Sequence, residues 1–273
     1  MGLTIHWDIG TNDDLEHARD KMQRLQHLAA GLPLKECSEL VDFNAEDIER
    51  IGKERGNAWS WALIQAGRFV DFVYDYRHKP VQLLREDCKD HSSHHSMQQN
   101  PTRLMGFHTW PGEGCEGANF MLAEYPKTLL VPANAEYNQL AGRLHVASKW
   151  RWHTASFCKT CYSKEPVKCH LMVVTILDAA KRIGLDVEVY DEGDYWDKRD
   201  VKALAREFGD DVQHLAAFFG VLKDALGDQI VAPIAERPDF EKLEAKGAAT
   251  PEMKRLATAI KAAVPVTAQP EDN

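Results

Sequence analysis

The sequence lacks the features that would assign it to a membrane, secreted or nucleic-acid-binding class. No stretch approaches the ~20 apolar residues that a membrane-spanning helix needs. The opening MGLTIHWDIG has neither a basic segment nor a long apolar one, so no signal peptide is predicted. There is no run of Lys and Arg, and the net charge of −9 repels phosphate backbones. We therefore expect a cytoplasmic protein whose partner is a small molecule or another protein, not a membrane or a nucleic acid.

Cysteine and the common catalytic motifs are also scarce. Six cysteines in 273 residues are too few for a disulfide scaffold, so they are expected to be thiols or metal ligands. The chain contains no GxSxG, HExxH, Walker A or kinase-like motif. The candidates that remain are irregular clusters of reactive side chains.

Hydrophobic periodicity in the first part of the chain predicts strands and helices in mixed order. Residues 3–9 alternate between apolar and polar types and predict a strand, which an amphipathic helix follows. Residues 36–43 suit a second strand. Residues 59–76 are rich in aromatic and β-branched types and suit one or two strands, while residues 87–101 suit a loop.

The second part of the chain is increasingly helical. Pro166 suits the first turn of a helix, and residues 185–190 suit a strand after it. We predict one α+β domain over residues 1–264, with a mixed β-sheet, helices packed mainly on one side and a helical portion from about residue 199. Residues 265–273 form a polar tail.

The densest group of reactive side chains lies in the segment HTASFCKTCYSKEPVKCH. Cys158 and Cys161 form a CxxC pair, which can supply two thiolates to Zn²⁺ from one turn. Cys169 or His170, together with His153, would complete a tetrahedral site. The same residues also suit small buried thiols and a hydrogen-bonded histidine at a helix start.

Two turns at predicted strand ends supply further candidates. The segment PGEGCEGANF combines three glycines, which allow close approach of a ligand, with Cys115 and Glu116 as nucleophile or ligand atoms. A plain hairpin loop explains it equally well. The segment DEGDYW places Asp191 and Glu192 where they can act as acid and base or bind a hard cation. A turn followed by a helix cap is the alternative there.

Several segments together resemble a group of bacterial proteins that open MG(V/L)TIH and carry a late DEG-aromatic-Trp segment. They are MGLTIH, WPGEGCEGANF, WRWHTASFCKT, KCHLMVVTILDAA and VYDEGDYWDKRD, and they cover most of residues 1–240 in islands. The resemblance implies no activity. That group usually has Gln where this chain has Cys161, which turns attention to Cys115, Cys158, Cys169 and His170 with the acidic turn. Lys159 is then a further candidate for holding an anion or moving a proton.

The first functional hypothesis is an enzyme-like cleft, with or without a metal ion, that acts on a small polar substrate. Its candidate catalytic residues are Cys115, Glu116, Lys159, His170, Asp191 and Glu192. The candidate zinc ligands are Cys158, Cys161, Cys169, His153 and His170. This hypothesis predicts that Cys115, Cys158, His170 and Glu192 meet in one pocket.

The alternative is a non-catalytic interaction module of the accessory or immunity type, in which any zinc is purely structural. It predicts an exposed apolar surface built from tryptophans. Those tryptophans are Trp59, Trp61, Trp110, Trp150, Trp152 and Trp196.

Overall fold

The computed structural model describes residues 3–54, 59–75, 77, 79–83, 95–133, 141–226, 239–251 and 254–255. The predicted polar tail at residues 265–273, most of the predicted loop at residues 87–94 and the Trp61 side chain lie outside this description.

Strands and helices alternate irregularly along the chain. The strands are β1 (Thr4–Thr11), β2 (Glu36–Cys37), β3 (Val41–Phe43), β4 (Arg68–Tyr74), β5 (Pro80–Gln82), β6 (His95–Gln99), β7 (Arg103–Trp110), β8 (Ala118–Glu124), β9 (Thr128–Val131), β10 (Gly142–His145), β11 (Trp152–Lys159) and β12 (Asp186–Asp191). The helices are α1 (Leu15–Ala30), α2 (Ala45–Lys53), α3 (Ser60–Ala66), α4 (Pro166–Arg182), α5 (Tyr195–Lys198), α6 (Val201–Leu226) and α7 (Phe240–Ala248).

The main sheet has the strand order β12-β1-β11-β8-β7-β2, and β3 also pairs with β7. Strand β1 lies between β11 and β12, so that Ile5 of β1 is opposite Cys158 of β11 and opposite Asp191 of β12. The predicted α+β class is confirmed. The sheet differs in one respect from the mixed sheet that we predicted, because every described strand pair is antiparallel.

The core lies between one face of this sheet and helices α1 and α4. Period-two alternation in β1 turns Ile5, Trp7 and Ile9 toward the helices, and all three are almost completely buried. Asp14 begins α1 by accepting a hydrogen bond from the His17 backbone N–H at 3.0 Å. The buried stripe of α1 is Ala18, Met22, Leu25 and Ala29.

Two smaller sheets, β5-β4-β6 and β9-β10, accompany the main sheet. The predicted strand over residues 59–66 is wrong, since Ser60–Ala66 forms α3 and only Arg68–Tyr74 forms a strand. Part of the predicted loop is also wrong, because His95–Gln99 forms β6. Short apolar runs do not distinguish a strand from a buried helix by periodicity alone.

The later part of the described chain is helical, as predicted. Helix α6 packs against α7, and its residues Leu204 and Phe208 form a buried cluster with Leu3 and Cys161. No helix within the described ranges is both long enough and apolar enough to cross a membrane.

Candidate functional site

The strand order collects several predicted residues at one end of the main sheet. Because neighbouring strands run antiparallel, β7, β11 and β12 all end on the same side as the beginning of β1. The loop after β7 carries Cys115, the loop after β11 leads to Cys169 in α4, and Asp191 ends β12. These segments are distant in sequence and become neighbours only through the sheet.

The loops after β7 and β11 pack directly on each other, and two glycines allow this close approach. A Cβ on Gly112 would lie 2.6 Å from Cys169 Sγ. Gly114 has φ +84°, and a Cβ there would overlap the Tyr162 carbonyl oxygen. The glycine-rich segment is the hairpin loop between the paired strands β7 and β8, as the alternative interpretation predicted, and the loop after β11 packs against it.

Three of the predicted thiols form a connected cluster at this contact. Cys169 Sγ lies 3.1 Å from Ser163 Oγ. Cys115 Sγ donates to the Thr160 carbonyl oxygen at 4.0 Å, and the Cys115 and Cys169 thiols are close enough to influence each other's pKa. Cys158 Sγ donates to the Glu116 carbonyl oxygen at 3.3 Å. All of these thiols are free, so the cluster is in its reduced state.

Hydrogen bonds make Cys169 the most readily ionised thiol of the cluster. The bond from Cys115 has the largest effect and, with the Ser163 hydroxyl, lowers the pKa of Cys169 to about 7, although burial acts in the opposite direction. The pKa of Cys115 is raised well above its usual range, first because of its hydrogen bond with Cys169 and then because it is buried. Burial also raises the pKa of Cys158.

Cys169 also lines a cavity of about 250 Å³ between the two loops and the start of α4. Ser163 and Gly112 contribute to the same wall. The charged residues around the cavity are Lys35, Glu113, Lys164, Glu165 and Lys168. Each of the three lysines forms an ion pair with one of the two glutamates, so the cavity carries a small excess of positive charge, which suits a small polar molecule.

His170 and Asp191 lie beside the thiol cluster but are closed off from solvent. His170 Nε2 is 3.1 Å from Asp191 Oδ2, its Nδ1 is 3.3 Å from Thr160 Oγ1, and the two side chains are only 0% and 2% exposed. Asp191 also accepts bonds from the backbone N–H groups of Gly193 and Trp196, each at 2.9 Å. Although burial alone would raise it, the pKa of Asp191 is lowered by the bond with His170 and by these N–H groups. This network joins the loop after β11, helix α4 and the end of β12. It is closed to solvent and therefore not accessible to a substrate.

The other predicted catalytic residues, Glu192, Glu116 and Lys159, take part in hydrogen bonds with backbone groups at the same end of the sheet. Glu192 Oε2 accepts from the Thr4 backbone N–H at 2.8 Å. Glu116 Oε2 accepts from the Lys159 backbone N–H at 3.3 Å, while the Glu116 N–H donates to the Lys159 carbonyl at 3.0 Å. The four residues that were predicted to meet therefore lie at the same end of the sheet, but none of the described cavities is lined by all of them. They are Cys115, Cys158, His170 and Glu192.

The predicted zinc ligands are not gathered around one point. His153 and Cys158 lie five positions apart on β11, roughly 16 Å along an extended strand. Cys161 packs instead into the apolar cluster with Leu204 and Phe208. Within the described ranges, no group of three or more His, Cys, Asp or Glu residues is arranged to hold a metal ion. The zinc prediction gains no support from this geometry.

Two residues of the site were not predicted from the sequence. Ser163 was not singled out, although it lies two residues after the CxxC pair and precedes a predicted helix start, a position where hydroxyl groups often bond to nearby atoms. Lys35 comes from the segment before β2, and nothing in its sequence context relates it to Cys169. Only the three-dimensional arrangement reveals this second contribution.

The tryptophans of the alternative hypothesis whose side chains the structure describes divide into two groups. Trp150 and Trp152 are buried at 7% and 0% exposure. Trp59, Trp110 and Trp196 are half-buried. The tryptophan-based form of the interaction-module hypothesis stays a prediction.

No protein-family model matches this chain, and comparison with curated proteins and with solved structures gives no match either. The resemblance to bacterial proteins that open MG(V/L)TIH stays a prediction. An assignment of function therefore depends on the chemistry of the site.

Proposed function

We propose that this chain is a thiol enzyme that reacts with a small polar disulfide, with Cys169 as the nucleophile and Cys115 as the second thiol. The observation that supports this proposal is that Cys169 lines a cavity, with the Ser163 hydroxyl oxygen 3.1 Å from its sulfur and the Cys115 thiol close enough to lower its pKa. A thiolate is the reactive form of cysteine, and neighbouring donors stabilise it.

The proposed reaction proceeds in two exchange steps. The Cys169 thiolate attacks one sulfur of the substrate disulfide, forms a mixed disulfide and releases the other half as a thiolate. Cys115 then loses its proton to solvent or to the departing thiolate and attacks the Cys169 sulfur, which releases the second half. The substrate is reduced by two electrons to two thiols, and the protein gains a Cys115–Cys169 disulfide.

The cause of the high Cys115 pKa explains why Cys115 can react in the second step. The largest cause is the hydrogen bond between Cys115 and Cys169. Once Cys169 is bound in a mixed disulfide it carries no negative charge, so this cause disappears and Cys115 ionises more easily. The cationic groups Lys35 and Lys168 on the cavity wall would stabilise the thiolate that leaves.

The direct test is incubation of the reduced protein with hydroxyethyl disulfide, followed by tryptic mapping without a reductant. Cleavage after Lys159, Lys164 and Lys168 puts Cys158, Cys161 and Cys169 in separate peptides, so the pairing can be read without ambiguity. We expect a disulfide between the Cys115 and Cys169 peptides. A Cys115→Ala variant should instead accumulate the mixed disulfide on Cys169.

Cys161→Ala is the matched control, because Cys161 is an equally buried thiol that packs against apolar side chains. Its rate of thiol release should equal that of the wild type. The proposal fails if Cys169→Ala leaves this rate unchanged, or if the disulfide joins Cys158 to Cys161.

A further inference from the structure

A second and larger cleft lies on the opposite face of the main sheet from α1 and α4. It has a volume of about 700 Å³ and runs over β12, β1 and β11, with Gln65 of α3 on its wall. An adjoining cavity of about 440 Å³ shares Asp8, Gln65 and Ala155 with it. Because the sheet alternates in period two, this open-face cleft receives the side chains that the core does not use.

Three rings form a row across neighbouring strands at one end of the open-face cleft. Tyr190, His6 and Phe157 are direct cross-strand partners. The His6 ring centroid is 5.8 Å from that of Phe157 and 6.0 Å from that of Tyr190. Phe157 and Tyr190 are 37% and 68% exposed, far more than an aromatic ring with a purely structural role requires. The row presents ring faces and edges to the space above the sheet.

The next row along the strands is acidic and leaves room above it. Glu188, Asp8 and Ala155 are cross-strand partners there, and the small Ala155 side chain opens the floor. Asp8 Oδ1 is 2.9 Å from His153 Nε2, and 41% of the Asp8 side chain is exposed. Its carboxylate therefore faces the cleft with one histidine beside it.

Trp150 bounds the far end of this floor. Its indole covers Gly10, where a Cβ would overlap the ring, and its Nε1–H donates to Asp186 Oδ2 at 2.8 Å. The His153 ring stacks on it with a centroid distance of 5.3 Å. The open-face cleft itself is lined by the ring row and by the carboxylates Asp8 and Glu188, and Trp150 lies beyond them over Gly10.

The charges that line the open-face cleft favour a cation. Lys149 forms an ion pair with Glu188, so one of the two carboxylates is already compensated. The Arg68 guanidinium of the adjoining cavity donates to Gln99 and Ser148 and lies over the Tyr125 ring, 4.1 Å from its centroid. Neither cation has a bond to Asp8 among these contacts, and Asp8 remains the carboxylate that is available to a ligand.

We propose that the open-face cleft binds a small organic cation of the alkylammonium class, with Asp8 as the counter-charge and Tyr190 and Phe157 as ring contacts. Ring faces attract ammonium groups electrostatically, and the attraction increases when the cation is partly desolvated, as it is over a sheet floor. The Asp8 carboxylate, in the next row of the sheet, adds a direct charge interaction with the cation. This inference is independent of the thiol chemistry, because the two sites lie on different parts of the sheet.

The test is a charge series with a constant shape, followed by two-dimensional NMR of the full chain. The three probes are choline, its uncharged carbon analogue dimethylbutanol, and the anion dimethylbutyrate. We expect choline to shift the amide signals of β1, β11 and β12 around Asp8 and Tyr190, and to bind about tenfold more tightly than dimethylbutanol. Dimethylbutyrate should bind more weakly still.

Variants separate a specific site from weak adhesion to the surface. Asp8→Asn and Tyr190→Ala should each weaken choline binding several-fold. Tyr162→Ala is the matched control, because Tyr162 is 37% exposed like Phe157 but lies in the loop after β11. The proposal is overturned if dimethylbutanol or dimethylbutyrate binds as well as choline, if no probe shifts these signals, or if both cleft variants bind choline like the wild type.

Discussion

At the scale of single residues, the environment of the Cys169 sulfur sets when the site is reactive. Its pKa of about 7 means that its reactivity should rise with pH around neutrality, as the thiolate replaces the thiol. Cys115→Ala removes the largest cause of the lowered Cys169 pKa. The midpoint of the curve of reactivity against pH should therefore move to higher pH. The measurement is the rate of iodoacetamide alkylation of the Cys169 peptide as a function of pH. Identical midpoints in wild type and Cys115→Ala would show that the hydrogen bond between the thiols has no such effect.

Gly112 gives a second prediction at this scale. Gly112→Ala brings a Cβ within 2.6 Å of Cys169 Sγ, so the two loops must separate. We expect a loss of about 1–3 kcal/mol in the free energy of unfolding and a changed alkylation rate at Cys169. Urea denaturation measures the free energy of unfolding, and the alkylation assay measures the rate at Cys169.

Gly52→Ala is the matched control for this substitution. Gly52 is exposed in α2, and a Cβ added there would meet nothing within 4 Å. Because alanine is the better helix former, the variant should be more stable by roughly 0.5–1 kcal/mol and unchanged at Cys169. Equal effects of the two substitutions would rule out the steric explanation.

The reactive residues could be predicted by type but not by partner. Cys115 was predicted from its glycine-rich turn, and Cys158 and Cys169 were predicted from the segment in which cysteine and histidine are densest. The CxxC spacing suggested that Cys161 belongs with Cys158, but Cys161 packs toward Leu204 instead. Spacing within a loop does not determine which way each side chain turns, and this depends on helix α6, far along the chain.

At the scale of elements, one carboxylate joins a helix to the sheet. Asp42 of β3 accepts from Arg19 Nε of α1 at 2.9 Å and from Arg103 Nε of β7 at 2.8 Å. Burial would raise the pKa of Asp42, but the hydrogen bonds from Arg103 and Arg19 lower it. The arrangement fixes α1 and β3 against β7.

We therefore expect Asp42→Asn to lower the free energy of unfolding by about 1–2 kcal/mol at neutral pH. Since the pKa of Asp42 is lowered in the folded state, its contribution is present above the pKa of the unfolded chain and is lost as the pH falls through the folded value. The difference between wild type and variant should consequently shrink in acid, which urea titrations at neutral and acidic pH will measure. Glu49→Gln is the control, because its pair with Lys53 within α2 is exposed to solvent and is expected to have almost no effect on stability.

Long elements were easier to predict than short ones. Helix α4 and strand β1 have strong periodicity, and both were located from the sequence. Helix α3 has only seven residues, most of them apolar, so its pattern fits a strand equally well. The strand predicted over residues 36–43 is divided into two short strands, β2 and β3, which both pair with β7.

At the scale of the whole molecule, the strand order places β1, the first described strand, inside the main sheet next to the edge strand β12. β1 lies between β11 and β12, so Thr4 pairs with Lys159 and Ile5 pairs with Asp191. Contacts between such distant residues slow folding, because a long loop must close before any of them forms. The topology was not predictable from local patterns, which indicate strands but not their neighbours.

We expect refolding from urea to occur in milliseconds to seconds, not in microseconds as in small helical bundles. Stopped-flow tryptophan fluorescence will measure it, since Trp7 and Trp152 become buried as β1 and β11 pair. A double-jump experiment separates this phase from proline isomerisation, which takes tens of seconds. A main phase in microseconds would contradict the view that pairing of β1 limits the rate.

The pairing of β1 with two strands from late in the chain also has a consequence for synthesis of the protein on the ribosome. β1 emerges first, but its two neighbours are translated more than a hundred residues later, which at about 5–20 residues per second is a delay of roughly 10–40 s. For that interval the segment with Ile5, Trp7 and Ile9 has no sheet to enter. A nascent chain of this kind exposes an apolar strand during most of its translation, and chaperones that hold unfolded segments act on such sequences.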